Sequence, residues 1–181
     1  MTYYGGKEMA AAFRTVRANT IKIAEEIPEN QYDFRPAPDS RTVAQTLAHI
    51  ALGPGFQHHV HSRKITDLST LNFPEIFQQF HAEEGKPRTK AETIAFLKSE
   101  GEKFAAFLET LPEPLLAEQV KMSPGMTPPV KSRFEMLLGS KEHEMHHRAQ
   151  LMTVQRMIGQ VPHLTRQMQE RMAQATAQAQ R

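Results

Sequence analysis

The sequence predicts an all-α protein folded as a four-helix bundle. Three observations lead to this prediction. Four stretches carry apolar residues at every third or fourth position, prolines and glycines separate those stretches, and the alternation of apolar and polar residues that marks a strand is absent. The chain has 181 residues, which is the usual size of one domain. We therefore expect a single core.

The first helix is predicted from an apolar seam with alternating spacings of four and three residues. Its members are Met9, Phe13, Val16, Thr20, Ile23 and Ile27. Such spacing places these side chains on one face of an α-helix. Pro28 ends the helix, because proline lacks the amide hydrogen that a helix interior needs. Two prolines within residues 31–40 predict a loop there.

The second helix is predicted to begin near Thr42. Gln45 lies three residues later and can complete a capping box with that threonine. The apolar face of this helix is supplied by Val43, Leu47 and Ile50.

Gly53-Pro54-Gly55 interrupts this helix and predicts a kink or a break, because a proline crowds the carbonyl four residues before it. Residues 56–61 can resume the helix. Residues 67–84 are expected to form a loop with one short helix, whose apolar residues are Ile76, Phe77 and Phe80.

The third helix is predicted from a capping box at Thr89 and Glu92. Its seam then follows as Ile94, Leu97, Gly101, Phe104, Leu108 and Leu111, and Pro112 ends it. A proline-rich connector at residues 123–129 leads to the start of the fourth helix.

The fourth helix is predicted to run from about Arg133 to Ile158, after a second such box at Ser132 and Glu135. The residues from Thr165 onward are rich in Gln, Ala and Met and carry a poor apolar stripe. We therefore divide the chain into one bundle domain, residues 1–164, and a Gln- and Ala-rich tail, residues 165–181.

Composition and charge exclude several classes of function. The chain has no cysteine, which excludes disulfides, thiolate ligands and a cysteine nucleophile. The formal net charge is +2, and the basic residues are scattered, whereas nucleic-acid-binding proteins concentrate them on one face. Residues 1–6 lack the basic and apolar regions typical of a secretory signal, so we expect none, and no run of about eighteen apolar residues occurs in the sequence. We expect a cytoplasmic protein with neither a nucleic-acid nor a membrane partner.

His143 and His147 are the strongest candidates for metal ligands. They lie four residues apart, so one helical turn brings both imidazoles to the same face. That face also carries the apolar stripe of the fourth helix, which consists of Met136, Ser140, Leu151, Val154 and Ile158. Burying two imidazoles together is unfavourable unless something pairs with their lone pairs, and a metal ion does that well. The alternative is a pair of core histidines hydrogen-bonded to side chains and water, and spacing alone does not separate the two.

A third histidine would favour the metal. His49 lies on the second helix just before the Gly-Pro-Gly segment, and an antiparallel bundle can bring it level with His143 and His147. A further cluster, expected at a solvated helix end but able to supply an extra ligand, consists of His58, His59 and His61.

Residues 143–147 also spell the His-Glu-x-x-His motif of zinc peptidases, with Glu144 as the general base. The extended form of that motif needs glycine and histidine where this chain has Gln150 and Thr153. Such peptidases also use a strand to hold an extended substrate, and the sequence predicts no strand. The peptidase interpretation is therefore kept as an alternative and is not the one we favour.

The run from His143 to Leu151, His-Glu-Met-His-His-Arg-Ala-Gln-Leu, resembles a landmark of the DinB/YfiT superfamily of metalloenzymes. The usual form of that landmark ends His-His-Arg-Gly-Gln, and Ala149 stands in place of the glycine. Residues 42–50 resemble the other landmark, a helix start that leads to an isolated histidine before an apolar residue. The resemblance extends from about Gly6 to Pro162.

This resemblance implies an up-down-down-up bundle that binds one divalent metal ion, nickel or zinc. It implies that the ligands are His49, His143 and His147, and that the protein is a homodimer. Family members with assigned activities are thiol-dependent transferases, isomerases, and amide-forming or hydrolytic enzymes. The implied partner is therefore a small-molecule substrate, with a low-molecular-weight thiol as one candidate.

We predict a metal-dependent transferase or hydrolase that acts on a small molecule. Three histidine ligands leave a coordination position open, which is typical of a catalytic metal site. His146 and Glu142 are candidate acid–base groups. The alternative hypothesis is a non-catalytic metal-binding protein of a stress response.

Overall fold

The structure, a computed structural model, describes residues 4–179 and confirms the four-helix bundle with its up-down-down-up arrangement. Its helices are, in chain order, α1 (Gly6–Glu26), α2 (Val43–Leu52), α3 (Pro54–Ser62), α4 (Phe73–Glu84), α5 (Lys90–Glu109), α6 (Glu113–Leu116), α7 (Arg133–Met157) and α8 (His163–Ala179). The bundle consists of α1, α2 with its continuation α3, α5 and α7. The long connection that contains α4 is what lets two consecutive bundle helices run in the same direction.

Each bundle helix packs against two others. Helix α1 contacts α5 and α7, and α2 contacts the same two helices. The predicted seam of α1 is buried along its whole length. The core around the middle of α2 and α7 contains Ile23, Ile27, Leu47, Ile50, Leu97, Leu151 and Val154.

The three predicted helix starts are confirmed. At Thr42, Thr89 and Ser132, the hydroxyl accepts a hydrogen bond from the backbone N–H three residues on, and the side chain of that later residue bonds back to the cap. Each box satisfies two N–H groups that a helix start leaves unpaired. The boxes fix where α2 and α7 begin, and so they fix the level at which these helices carry their histidines.

The Gly53-Pro54-Gly55 segment interrupts the hydrogen bonding of the second helix without ending its helical path. Gly53 keeps helical backbone angles (φ −48°, ψ −44°), and α3 begins directly after it. Pro54 has no N–H for the Ile50 carbonyl, and the Arg17 guanidinium donates to that carbonyl instead, at 3.1 Å. The interruption is therefore local, and His49 keeps its place in the last turn of α2.

The prediction that the chain contains no strand is wrong. Strands β1 (Gln119–Lys121) and β2 (Val130–Ser132) form an antiparallel hairpin. Three residues are too few to show the alternation on which strand prediction depends. Val120 is fully buried in a cluster with Val60 and Met136, so the hairpin packs against α3 and α7.

The C-terminal tail forms α8, which is attached to the bundle at its start. His163 is buried, and Arg166 pairs with Glu26. Residues 167–179 are exposed throughout. The separation of residues 165–181 from the core stays a prediction, and the last two residues of that range lie outside the described chain. Neither α8 nor any other helix within the described chain combines the length and the apolar character needed to cross a bilayer.

Candidate metal centre

Three histidines converge on one point between α2 and α7. His49, His143 and His147 each offer a ring nitrogen, and the three nitrogens lie within 4.8 Å of one another. The Nε2 atoms of His49 and His143 are 3.0 Å apart. Ring centroids are separated by 4.6 to 4.9 Å in all three pairs. The convergence that the sequence predicts is therefore present in the fold.

The helices position these rings by simple geometry. His143 and His147 occupy successive turns of α7 between buried Ser140 and buried Leu151, as the apolar stripe predicts. Helix α2 packs against α7 and brings His49 to the same level.

Gly53 makes room for the His143 ring. A Cβ atom at position 53 would lie 2.8 Å from the Nδ1 atom of His143, which is closer than van der Waals contact allows. Glycine also relieves the crowding that a following proline imposes on a helical residue. The Gly-Pro pair is thus part of the construction of the site.

Neighbouring side chains determine which ring nitrogen of His49 and of His147 faces the centre. The Nδ1 atom of His49 lies 2.9 Å from a carboxylate oxygen of Glu84, and the Nδ1 atom of His147 lies 2.8 Å from Oε1 of Gln150. Both partners accept a hydrogen bond, so each Nδ1 carries the proton and each Nε2 is left with a free lone pair. Arg41 donates to the other oxygen of Glu84 at 2.6 Å and holds that carboxylate in place.

The electrostatics keep these rings neutral. Burial and the neighbouring imidazoles lower the pKa of His143 to about 4. Burial also lowers the pKa of His49 and of His147, although the Glu84 and Gln150 hydrogen bonds act in the opposite direction. Neutral imidazoles present lone pairs, which is the state that a metal ion requires.

The donor set fits a divalent transition metal. The Nε2 atoms of His49 and His143 are 3.0 Å apart, so the lone pair of His49 faces either a proton on His143 or a cation that lies between the two atoms. Two nitrogen ligands of one tetrahedral zinc ion lie about 3.3 Å apart, because each Zn–N bond is about 2.0–2.1 Å long. Imidazole ligands suit zinc and nickel alike.

Sequence reasoning missed Glu84. This residue lies 35 positions from its partner His49, so no helical spacing connects the two. One signal was available: Glu83 and Glu84 occupy the last turn of α4, where the helix dipole disfavours carboxylates. An acidic pair at that position indicates that something else stabilises it.

The other candidate residues lie outside the centre. His146 is exposed, and its Nε2 atom lies 3.2 Å from the amide nitrogen of Gln150, which links it indirectly to His147. Glu142 is exposed on α7. His61 is not at a solvated helix end, since it is 1% exposed and contacts Arg133.

Glu144, the general base of the peptidase hypothesis, is engaged elsewhere. Its side chain is 1% exposed, and both of its oxygens accept hydrogen bonds from Nε of Arg17, at 3.0 and 3.1 Å. Arg17 is equally buried and also donates to the Leu97 carbonyl. This carboxylate belongs to a core ion pair between α1 and α7.

Two cavities meet at the three histidines. A polar cleft of about 670 Å³ reaches His147, and its lining includes Arg35, Arg41 and Gln150. A second cavity of about 700 Å³, which we call the apolar cavity, reaches His49 and His143. It is lined mainly by aromatic and aliphatic side chains of α3, α4, α7 and the β1–β2 loop.

Comparison with known proteins agrees with the fold. The chain is 24% identical over 152 residues to the uncharacterized protein YjoA of Bacillus subtilis, covering 84% of this chain and 90% of that protein. The crystal structure of YjoA, a DinB-like protein, superposes with a TM-score of 0.63 at 23% identity, covering 85% of this chain and 94% of that one.

Another B. subtilis structure is similar in fold. YfiT, described as a probable metal-dependent hydrolase with an unusual four-helix bundle topology, gives a TM-score of 0.67 at 16% identity, with coverage of 88% and 91% of the two chains. The family match extends from residue 12 to residue 151, which covers most of the bundle and all three histidines. The chain belongs to the DinB superfamily.

Proposed function

We propose that this protein binds one divalent metal ion, nickel or zinc, through His49, His143 and His147, and that it is a metal-dependent enzyme for a small-molecule substrate. The observation that carries the proposal is the convergence of three imidazole nitrogens within 4.8 Å, two of them turned inward by Glu84 and Gln150. Outer partners of this kind are typical of metal-ligating histidines.

The bound metal would supply Lewis acidity, which activates a water or thiol and polarises a carbonyl. The residues of the chain orient the ligands and shape the approach. Glu84 and Arg41 hold His49 in one tautomer, and His146 is a candidate proton carrier beside Gln150. The two cavities support catalysis over storage, because a substrate can reach the centre from either side.

The reaction class is proposed as hydrolysis or transfer to a low-molecular-weight thiol. The description of YfiT as a probable metal-dependent hydrolase supports the first. Arg35 of the polar cleft supports the second, since it pairs with no carboxylate among the described residues and can bind an anionic group of a hydrophilic thiol. The burial of Glu144 against Arg17 speaks against peptide hydrolysis with that residue as base.

Elemental analysis of tag-free protein tests the metal site. We expect about one ion per chain in the wild type and a large loss in His143→Ala, because three ligands are needed for tight binding. His59→Ala is the matched control, since His59 faces a separate pocket beside Glu100 and Lys103. Equal, sub-stoichiometric metal in wild type and His143→Ala would refute the site.

Turnover measurements test the enzyme. Zinc- and nickel-loaded protein is offered ester and amide substrates, and thiols paired with electrophiles. We expect activity that disappears in His49→Ala and persists in His59→Ala. Activity that survives the loss of His49 would rule out catalysis by this centre.

A further inference from the structure

The apolar cavity has walls that suit a hydrocarbon chain. Its lining includes Phe56, Phe73, Phe77, Phe80, Met126 and Met136, and the charged residues of that lining are Glu84 and Lys131. Glu84 is bonded to His49 and Arg41, so its charge is already paired. The volume of the apolar cavity, about 700 Å³, lies within the range of small-molecule sites.

The apolar face of helix α4 lines this cavity and is not packed against the protein core. Phe73, Phe77 and Phe80 lie on one face at spacings of four and three residues, yet no residue of α4 is buried. Phe77 is 53% exposed. An amphipathic helix of a folded domain normally buries its apolar face, and the cavity beneath this face has space for a further apolar group.

Two buried serine hydroxyls line the same cavity. Ser140 is 4% exposed and lies three residues before His143 on α7. The hydroxyls of Ser140 and Ser123 are buried without a hydrogen-bond partner among the described residues, and both residues line the cavity. Buried hydroxyls nearly always have a partner, and a carbonyl oxygen of a bound molecule would provide one.

We propose that the substrate is a carbonyl compound with an aliphatic chain, which lies in the apolar cavity under α4 while its carbonyl group reaches Ser140 and the three histidines. This proposal rests on the proposed function, because the metal-binding histidines form one end of the cavity. The cavity is bounded by α3, α4, α7 and the hairpin loop, which favours a single flexible chain over a folded partner.

Alkyl hydroxamates test the proposal, since the hydroxamate group binds the metal and the alkyl chain enters the cavity. The affinities of aceto-, butano-, hexano- and octanohydroxamate for zinc-loaded protein are measured by calorimetry. We expect affinity to rise about twofold to fourfold per added methylene, because burial of a methylene from water is favourable. Hydrogen exchange of residues 73–84 should slow with octanohydroxamate and not with acetohydroxamate.

Gly139 provides the matched variants. It lines the cavity, and nothing lies within 4 Å of a Cβ placed there. Gly139→Leu should fill the cavity and abolish the dependence on chain length while acetohydroxamate still binds. Gly139→Ala should keep the wild-type dependence.

The outcomes separate the two proposals. Acetohydroxamate binding with affinities that do not change along the series would overturn the aliphatic substrate and leave the metal site intact. An unchanged dependence in a folded Gly139→Leu variant would also overturn it. Failure of every hydroxamate to bind protein that carries one zinc per chain would overturn the aliphatic substrate, whereas a chain that cannot be loaded with zinc would overturn the metal site on which it rests.

Discussion

The carboxylate of Glu84 decides which nitrogen of His49 is available to a metal ion. It accepts the Nδ1 proton, and Arg41 in turn fixes the carboxylate. Burial raises the pKa of Glu84, but the Arg41 and His49 hydrogen bonds outweigh it and hold that pKa below its usual value. The group is therefore a carboxylate at neutral pH, as a proton acceptor must be.

Loss of this carboxylate should weaken metal binding without removing a ligand. We expect Glu84→Ala to lower zinc affinity about 10- to 100-fold, which is the usual effect of removing such an outer partner. Competition with a zinc-binding dye measures it. Glu83→Ala is the control, because Glu83 pairs with Lys86 and Arg88 and not with a histidine. Equal affinities in the two variants would show that Glu84 does not orient His49.

The site residues differ in whether the sequence alone could predict them. His143 and His147 follow from one helical turn of spacing, and the buried stripe around them is confirmed. His49 was predicted through the family resemblance, because its distance from the other two is set only by the packing of α2 on α7. Glu84 lay beyond prediction, since its contact with His49 depends on a connection between bundle helices whose path no local pattern specifies.

At the scale of elements, the Arg17–Glu144 pair connects four helices. Arg17 on α1 binds Glu144 on α7 and the carbonyls of Ile50 on α2 and Leu97 on α5. Gly101 is needed beside it, because a Cβ there would lie 2.8 Å from the Arg17 side chain. This network occupies the glutamate that the peptidase motif would use for catalysis.

Glu144→Gln should therefore affect stability. We expect the free energy of unfolding to fall by about 3–5 kcal/mol, because the Arg17 charge is left buried without its counter-ion. Urea unfolding followed by circular dichroism measures this change. Glu142→Gln, an exposed position on the same helix, should change it by less than about 0.5 kcal/mol. A stable Glu144→Gln variant that has lost only turnover would instead support the peptidase hypothesis.

A second buried network joins α3 to the start of α7. The Arg133 guanidinium donates to Nδ1 of His61 at 3.2 Å, and the Nε2 hydrogen of His61 is directed to Oε1 of Gln57 at 2.9 Å. A proton on Nδ1 would face the Arg133 charge. Burial and Arg133 together lower the pKa of His61 to about 4.

Stability should consequently fall on acidification through this histidine. Between pH 6.5 and about 4 the unfolded chain binds a proton at His61 and the folded chain does not, so the contribution is present above the unfolded pKa and is lost as pH decreases. The loss approaches about 3 kcal/mol near pH 4, at about 1.4 kcal/mol per pKa unit. His61→Asn keeps an acceptor for Arg133 and removes the titration. The free energy of unfolding of the wild type and of His61→Asn is measured from pH 4 to 7.5 in the presence of a chelator. The difference between the two pH profiles isolates the contribution of His61, and parallel profiles would contradict it.

Elements differ in how visible they are to sequence analysis. The capping boxes of α2, α5 and α7 and their seams specify these helices locally, and all three were predicted. The strands β1 and β2 escaped because three residues carry no period, and they form only where α3 and α7 supply a surface for Val120.

At the scale of the whole molecule, the bundle core and the apolar cavity occupy different layers. The core lies among α1, α2, α5 and α7, whereas the apolar cavity lies between the bundle and α4. Helix α4, which covers the cavity, has no buried residue and supplies none to this core.

The C-terminal helix provides the last prediction. A chain that ends at Arg166 keeps the buried His163 and the Arg166–Glu26 pair, and it loses only residues that are exposed as far as Ala179. We expect its free energy of unfolding to change by less than about 0.5 kcal/mol, with zinc binding unchanged.

Sedimentation of the full-length and the truncated chain then tests the homodimer that the family resemblance predicts. The exposed Met168 and Met172 would belong to its interface if truncation converts a dimer to a monomer and lowers stability in a concentration-dependent way. That result would contradict the domain boundary before residue 165, because α8 would then be part of the folded unit.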